Sequence, residues 1–239
     1  METGLQEFAR PVVSAEKRSF VRQLFTQLAP RYDWFNRLVS CGLDQRWRRL
    51  ALQRGEVLPT HRVLDVCTGT GDLAILCQAR QRGQGLVVGA DMTSAMLIRA
   101  KHKQGSIHWL QADTLTLPFA SESFDRVTIG FSTRNLSDLM AGLREMVRVL
   151  KPGGRLIILE TGRPANPIVR AGYFLFLFTV ARVIGLVLTG RLWPFTYLAE
   201  SVRHFRTPAQ FIEDLQGAHT TVAYVPLAGG LASLFVATK

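Results

Sequence analysis

The sequence predicts an α/β protein with a doubly wound, mostly parallel, seven-stranded sheet, N-terminal helices and a helical lid insertion. Three observations favour this fold. Short apolar runs alternate with amphipathic segments between residues 62 and 159, as in a parallel sheet covered by helices. A glycine turn containing Gly69 and Gly71 links the first run to the first helix. Residues 221–238 have the pattern of a β-hairpin, which completes the sheet.

Each element follows from its local pattern. Residues 14–29 predict an amphipathic helix, with Ser14 as N-cap and Pro30 as its stop, and residues 32–54 continue with helical spacing. The core is then expected to contain strands 62–66, 86–90, 107–110, 124–130 and 155–159, with helices 71–80, 93–103 and 136–150. Residues 151–154, Lys-Pro-Gly-Gly, are expected to break the last helix, and residues 201–217 to form another.

These elements predict four parts of the chain. They are an N-terminal helical cap (1–60), a nucleotide-binding core (61–165), an apolar helical lid or substrate arm (166–206), and a C-terminal helix with a β-hairpin (207–239).

Composition limits the classes of function. The chain has 239 residues, of which 47% are hydrophobic, so it can bury a sizeable core. Its first twenty residues carry several charges, and we therefore expect no secretory signal and a cytoplasmic location. Three cysteines without a CxxC pair indicate a reducing compartment, and five scattered histidines predict no metal site.

The net charge of +11 indicates an anionic partner. The late arginines surround the most apolar part of the chain, residues 168–188, which favours a membrane surface over nucleic acid. A membrane-spanning helix needs about 20 apolar residues with few charges. Arg182 interrupts the run, so we expect a buried lid helix or an interfacial helix, which do not exclude each other.

The glycine turn indicates a nucleotide site. It also fits the dinucleotide pattern, but Asp65 and Asp72 flank it, and like charges about 4 Å apart repel by roughly 4 kcal/mol at an effective dielectric of 20. A pyrophosphate is therefore disfavoured, whereas the cationic ligand S-adenosylmethionine is favoured. Asp91 is placed to hold the ribose hydroxyls and Asp113 the adenine amino group. The alternative is that these glycines only form a tight turn and that the acids only cap helices or turns.

The predicted cofactor-binding residues lie in the turn or at strand ends. They are Asp65, which is expected to orient the methionyl amino group, with Gly69, Thr70, Gly71, Asp91, Met92, Asp113, Thr114 and Gly130.

Four further motifs carry a family resemblance. They are Tyr32-Asp33-x-x-Asn36 with Ser40 and Trp47, Gly130-Phe-Ser-Thr-Arg-Asn-Leu136, Arg148-Val-Leu-Lys-Pro-Gly-Gly154 with Glu160, and Tyr197-Leu-Ala-Glu-Ser-Val-Arg203-x-Phe205. With these motifs the chain resembles the class I S-adenosylmethionine-dependent methyltransferases, which have a Rossmann-like fold. More narrowly, it resembles the UbiE/COQ5 family, which methylates a ring carbon of prenylated quinols in ubiquinone and menaquinone synthesis. Asp44 stands where that family usually has histidine.

The resemblance implies roles for residues near the reacting ring. Arg134 is expected to offset a developing oxyanion and Asn135 to hold the quinol hydroxyl. The alternatives are an ion pair of Arg134 with Asp138 and capping of the following helix by Asn135. The residues expected to close the substrate pocket, or to serve only in packing or ion pairs, are Tyr32, Asp33, Tyr197 and Arg203.

The expected partners are a prenylated quinol and an anionic membrane surface, with no nucleic acid. The enzyme is then expected to be cytoplasmic and peripheral on the inner face of the membrane. A homodimer, and the choice between a benzoquinol and a naphthoquinol, stay open. Two other functions also stay open: methylation of another apolar small molecule, such as a polyketide or a sterol-like ring, and, less favoured, RNA methylation.

Overall fold

The computed structural model describes residues 15–239, so the predicted N-cap Ser14 lies outside the described residues. It contains one seven-stranded sheet, in the order β3-β2-β1-β4-β5-β7-β6. The strands are β1 Arg62–Val66, β2 Leu86–Asp91, β3 His108–Gln111, β4 Phe124–Gly130, β5 Leu150–Thr161, β6 Thr221–Leu227 and β7 Ala232–Thr238. The helices are α1 Ala15–Leu28, α2 Tyr32–Val39, α3 Leu43–Arg54, α4 Asp72–Gln81, α5 Ser94–Lys103, α6 Leu139–Val149, α7 Pro167–Phe178, α8 Val180–Thr189, α9 Trp193–His204 and α10 Pro208–Gln216.

The sheet brings the carboxyl ends of its parallel strands to one edge. Strand β1 pairs in parallel with β2 and β4, so that Val66 lies beside Ala90 and Ile129. Strand β5 continues the parallel order, and β7 inserts antiparallel between β5 and β6. Two buried apolar clusters form the core around the central strands. The predicted doubly wound, mostly parallel sheet of seven strands is therefore confirmed.

The region around α6 and β5 differs from the prediction. The helix predicted over 136–150 begins at Leu139, because Asp138 caps it by accepting a hydrogen bond from Ala141 N. A 3-10 turn, Thr133–Asn135, precedes it. The Lys-Pro-Gly-Gly segment belongs to the start of β5, which pairs with β4 at Leu150 and again from residue 155, with a register shift between the two.

Three predicted helical stretches are divided. The stretch 32–54 forms α2 and α3, because Gly42 adopts a left-handed conformation with φ +75° between them. The apolar stretch 168–188 forms α7 and α8, which meet at Thr179. The stretch 201–217 is split between α9 and α10, because Thr207 and Gln210 form a capping box and Pro208 occupies the first turn of α10. Proline fits this first turn because its missing N–H has no helical partner there.

The lid consists of α7, α8 and α9. Tyr197 of α9 and Trp193 pack against Phe20 of α1 at ring-centroid distances of 5.1 and 5.7 Å.

Within residues 15–239 one stretch, Pro167–Thr189, is long and apolar enough to cross a membrane by length and composition alone. Only 17% of its most apolar window is buried, so it is not a core helix. The four-part division of the chain stays a prediction.

Candidate active site

Two cavities lie at the carboxyl edge of the sheet. The larger has a volume of about 470 Å³ and the smaller about 60 Å³. Tyr32 and Asn135 line both, so the two cavities are neighbours. Ligand sites in parallel α/β sheets are expected at this edge.

The glycine turn has the backbone conformation that the sequence predicts. Gly71 has φ +87°, and a Cβ there would lie 2.6 Å from Trp109, so both the conformation and the space require glycine. Gly69, with φ +57°, donates its N–H to Asp91 Oδ2 over 2.9 Å, and Thr93 N–H donates to Oδ1 over 2.8 Å. Asp91 lines the smaller cavity, and its burial raises its pKa.

Asp65 and Asp72 are not free negative charges beside the glycine turn. The structure therefore does not support the prediction that their charges disfavour a pyrophosphate. Asp65 is 1% exposed, and its carboxylate accepts hydrogen bonds from the Thr68 and Thr128 hydroxyls over 2.5 and 2.6 Å. Burial raises its pKa to about 6, and it lines neither cavity. Asp72 lies 2.7 Å from Lys103 Nζ; burial raises its pKa, but Lys103, together with Arg48 and Gln45, more than offsets the effect and lowers the pKa overall.

The acids that face the smaller cavity are Asp91 and Asp113. Asp113 caps a turn through Leu115 N–H and pairs with Arg18 Nε of α1 at 3.0 Å. Met92 and Thr114 line the same cavity. A volume of about 60 Å³ is below the roughly 300–1,000 Å³ of small-molecule sites, so a nucleoside can enter only if α1 or its side chains shift.

Thr70 and Asp33 meet outside both cavities. The Thr70 hydroxyl donates to Asp33 Oδ1 over 2.5 Å, and Lys103 Nζ lies 2.6 Å from Asp33 Oδ2 and 3.0 Å from the Thr70 hydroxyl. This cluster joins α2, the glycine turn and α5. It fixes the N-terminal helices on the core.

Arg134 lies in the larger cavity as one partner of a buried ion pair. Its Nη1 lies 2.6 Å from Glu160 Oε1 and also donates to Phe131 O over 2.6 Å, and its Nε donates to the Ser201 hydroxyl over 3.3 Å. Its side chain is 8% exposed and that of Glu160 is 1% exposed. The alternative pairing with Asp138 is wrong, because that carboxylate caps α6. In the part of the chain that is described, no hydrogen bond uses Arg134 Nη2.

Asn135 has one free polar group. The Tyr197 hydroxyl donates to Asn135 Oδ1 over 3.1 Å, whereas the buried Nδ2 has no hydrogen-bond partner within residues 15–239. The predicted alternative, capping of the next helix by Asn135, is wrong because Asp138 occupies that position. Asn135 is 7% exposed and lines both cavities, so its amide is placed to donate to a bound ligand.

The structure brings most other predicted site residues to this edge. Tyr32 lines both cavities, and burial raises its pKa. Tyr197 lines the larger cavity, and burial raises its pKa as well. Gly130 ends β4 beside Arg48. Arg203 is exposed on α9 and lines neither cavity, so the structure does not bring it to the site.

Three charged groups at the site were not predicted from the sequence. Glu160 orients Arg134. Lys17 of α1 donates to Arg134 O over 3.2 Å, and burial lowers its pKa to about 8. Arg48 of α3 is buried in the wall of the larger cavity. Glu160 belongs to one of the family motifs, and Arg48 lies four residues after Asp44. Neither position in the sequence indicates that Glu160 binds Arg134 or that Arg48 lines the larger cavity.

The comparisons with known proteins decide the family. The profile of the ubiE/COQ5 methyltransferase family matches residues 12–239. The chain belongs to this family. A demethylmenaquinone methyltransferase of Deinococcus radiodurans is 40% identical over 228 residues, covering 94% of each chain. A ubiquinone/menaquinone biosynthesis C-methyltransferase of Geotalea daltonii is 36% identical, covering 94% of this chain and 98% of the relative.

A solved structure agrees with the fold of this ubiE/COQ5 family member. An S-adenosylmethionine-dependent methyltransferase of Aquifex aeolicus superposes with a TM-score of 0.59 at 18% identity, covering 80% of this chain and 88% of that chain. The family member is therefore an S-adenosylmethionine-dependent methyltransferase with a Rossmann-like fold. The unpartnered Asn135 Nδ2 and the buried acid Asp91 at the cavity edge fit a ligand with polar groups.

Proposed function

We propose that the enzyme methylates a ring carbon of a prenylated quinol in menaquinone or ubiquinone biosynthesis. The observation that carries the proposal is the cavity of about 470 Å³, whose wall is mostly apolar but includes Arg134, Asn135 and Tyr197. A small aromatic ring with two oxygens and an apolar tail has the same distribution of polar and apolar surface. The names of the relatives from Deinococcus radiodurans and Geotalea daltonii support this substrate class.

The residues have separate tasks in this reaction. When bound, S-adenosylmethionine supplies a methyl group on a cationic sulfur. Asp91 is placed to accept hydrogen bonds from ribose hydroxyls, and Asp113 from the adenine amino group. Asn135 Nδ2 donates to a quinol oxygen and so fixes the ring. Arg134 Nη2 donates to the same or the second oxygen and stabilises the phenolate form.

The role of Arg134 differs from that of a free cation. Because Glu160 offsets its charge, Arg134 acts as a fixed hydrogen-bond donor more than as a counter-ion. Glu160 also accepts from the Thr133 hydroxyl and from Thr161 N–H, so its carboxylate is held from several sides. The pair therefore keeps the guanidinium in one orientation at the reacting ring.

The function is tested by the product. The protein is incubated with isotopically labelled S-adenosylmethionine and reduced demethylated quinols, one with a benzenoid and one with a naphthalenoid ring, under anaerobic conditions. Mass spectrometry is expected to find the label on a ring carbon of at least one of them. Label on oxygen, or turnover only with polyketide-like or sterol-like rings or RNA, contradicts the proposal. Size measurement in the same buffer decides whether the protein forms a homodimer.

The lid provides the membrane contact that a bilayer-resident substrate requires. Tyr173, Phe176 and Leu177 of α7 line the larger cavity. Other large apolar side chains of α7 and α8 do not line this cavity and are exposed: Ile168 (81%), Leu175 (66%), Val183 (59%) and Val187 (79%). We call them the lid outer face. The exposed Arg163 and Arg191 flank it in sequence, and basic residues near anionic lipid contribute about 1 kcal/mol each. The enzyme is thus proposed to work on the cytoplasmic face of the membrane.

Disruption of the lid outer face is expected to abolish membrane binding. In a flotation assay the wild-type protein is expected to float with anionic vesicles and less with neutral ones. An Ile168→Asp/Val187→Asp variant is expected to lose at least tenfold of this binding, because two apolar side chains of about 1.5–3 kcal/mol each no longer enter the bilayer. Ile98, 58% exposed on α5, supplies the matched control Ile98→Asp, which should float like the wild type. Equal losses in both variants, or no flotation of the wild type, would contradict the lid as the docking face.

A further inference from the structure

One buried cation at the site donates no hydrogen bond to any described residue. Arg48 of α3 has a side chain that is 7% exposed, and its buried Nε is left without a hydrogen-bond acceptor. It forms a buried salt bridge with Asp44 Oδ2 at 3.7 Å, which offsets its charge but is too long for a hydrogen bond. The Asp44 carboxylate instead accepts from the Ser40 hydroxyl and the Gln45 amide, both over 3.0 Å. The salt bridge leaves the N–H donors of this buried guanidinium without acceptors, which is costly, so a ligand that accepts hydrogen bonds from it is expected.

The position of Arg48 identifies the end of the ligand that it faces. Its Nη1 lies 3.1 Å from where a Cβ would be at Gly130, at the carboxyl end of β4. Its guanidinium carbon lies 5.2 Å from the centre of the Phe131 ring. One turn earlier on α3, Gln45 donates to Asp72 at the glycine turn over 3.1 Å. Arg48 therefore lies in the wall of the larger cavity, at the carboxyl end of β4 and near the glycine turn, whereas it does not line the smaller cavity, which Asp113 does.

We propose that Arg48 binds the α-carboxylate of the methionyl part of S-adenosylmethionine. With the nucleoside at Asp91 and Asp113, the amino-acid part must run past the glycine turn toward the larger cavity, where Arg48 lies. The planar fork of a guanidinium matches a carboxylate with two parallel hydrogen bonds. A quinol oxygen is the weaker candidate, because a single oxygen atom does not match the two parallel N–H groups of the guanidinium as a carboxylate does. The inference does not depend on the identity of the methyl acceptor.

The test compares two ligands that differ only in the carboxylate. Calorimetry measures binding of S-adenosylhomocysteine and of its decarboxylated analogue, without turnover. The wild-type protein is expected to bind S-adenosylhomocysteine about 10- to 100-fold more tightly. Arg48→Gln should lose this preference while its affinity for the decarboxylated analogue stays unchanged. Arg48→Lys, which keeps the charge but not the fork, should give an intermediate preference.

Matched controls separate this role from a structural one. Arg49→Gln removes an exposed arginine from the same helix and should leave both affinities unchanged. If the wild type shows no preference between the two ligands, the proposal is overturned whether or not the variants fold. It is also overturned if Arg48→Gln weakens both ligands equally. Unchanged ligand binding with a raised KM for the quinol would assign Arg48 to the acceptor instead.

Discussion

Replacing Arg134 by alanine is expected to reduce kcat by about 10²- to 10³-fold, the effect of removing one fixed donor at a developing oxyanion. It is also expected to destabilise the fold by about 3–5 kcal/mol, because Glu160 would become an unpaired buried carboxylate. Steady-state kinetics and urea unfolding measure the two effects. An Arg134→Ala/Glu160→Gln variant should recover part of the stability, because it removes the buried charge, but none of the activity.

A second arginine–glutamate pair provides the control. Arg148 and Glu145 on α6 form a bidentate pair, with Nε–Oε2 at 2.7 Å and Nη2–Oε1 at 2.8 Å, but the Arg148 side chain is 35% exposed. Solvent-exposed pairs contribute about 0–1 kcal/mol, so Arg148→Ala should cost less stability than Arg134→Ala and should not change kcat. If Arg134→Ala keeps the wild-type kcat in a folded protein, Arg134 does not contact the reacting ring.

Replacing Asp65 by asparagine is expected to stabilise the protein near pH 7 and to change how stability depends on pH. Burial raises the pKa of this carboxyl from 3.8 to about 6, so the folded state binds a proton more tightly than the unfolded state. As pH rises from about 4 to about 6, ionisation of Asp65 therefore costs stability, up to about 3 kcal/mol at 1.36 kcal/mol per unit. Asparagine removes this cost, and the Thr68 and Thr128 hydroxyls can rotate to pair with its amide.

The measurement is a urea titration series between pH 4 and pH 8. The wild type should lose more stability than Asp65→Asn as pH rises through this window.

Asp125 gives a control of opposite sign, because Lys151 and Arg62 N–H outweigh its desolvation and lower its pKa. Ionised Asp125 stabilises the folded state at neutral pH, and this stabilisation is lost on acidification. Asp125→Asn should therefore lower the free energy of unfolding at pH 7. If the free energy of unfolding depends on pH in the same way for the wild type and for Asp65→Asn, folding does not raise the pKa of Asp65. Weaker binding of S-adenosylhomocysteine by Asp65→Asn would support the predicted role of Asp65 at the methionyl amino group.

Local pattern predicted the sheet strands well because each is a short buried run with a clear turn after it. The turn at Gly69 and Gly71 needs positive φ, which is a property of glycine itself. The divisions at Thr179 and Thr207 were missed because apolar or helical spacing continues across them. The start of β5 was missed because a Pro-Gly-Gly segment resembles a loop in sequence, whereas strands β4 and β7 pair with β5.

By itself the sequence determined the doubly wound sheet, the glycine turn and the family motifs, because these depend on residues close together in the chain. Only the tertiary structure decided which charges are free. Asp72 pairs with Lys103 and Arg134 with Glu160 across 31 and 26 positions, whereas Arg48 Nε and Asn135 Nδ2 are buried and donate a hydrogen bond to no described residue. Whether a charge faces a ligand or a neighbour depends on packing between distant segments, and no local pattern records that packing.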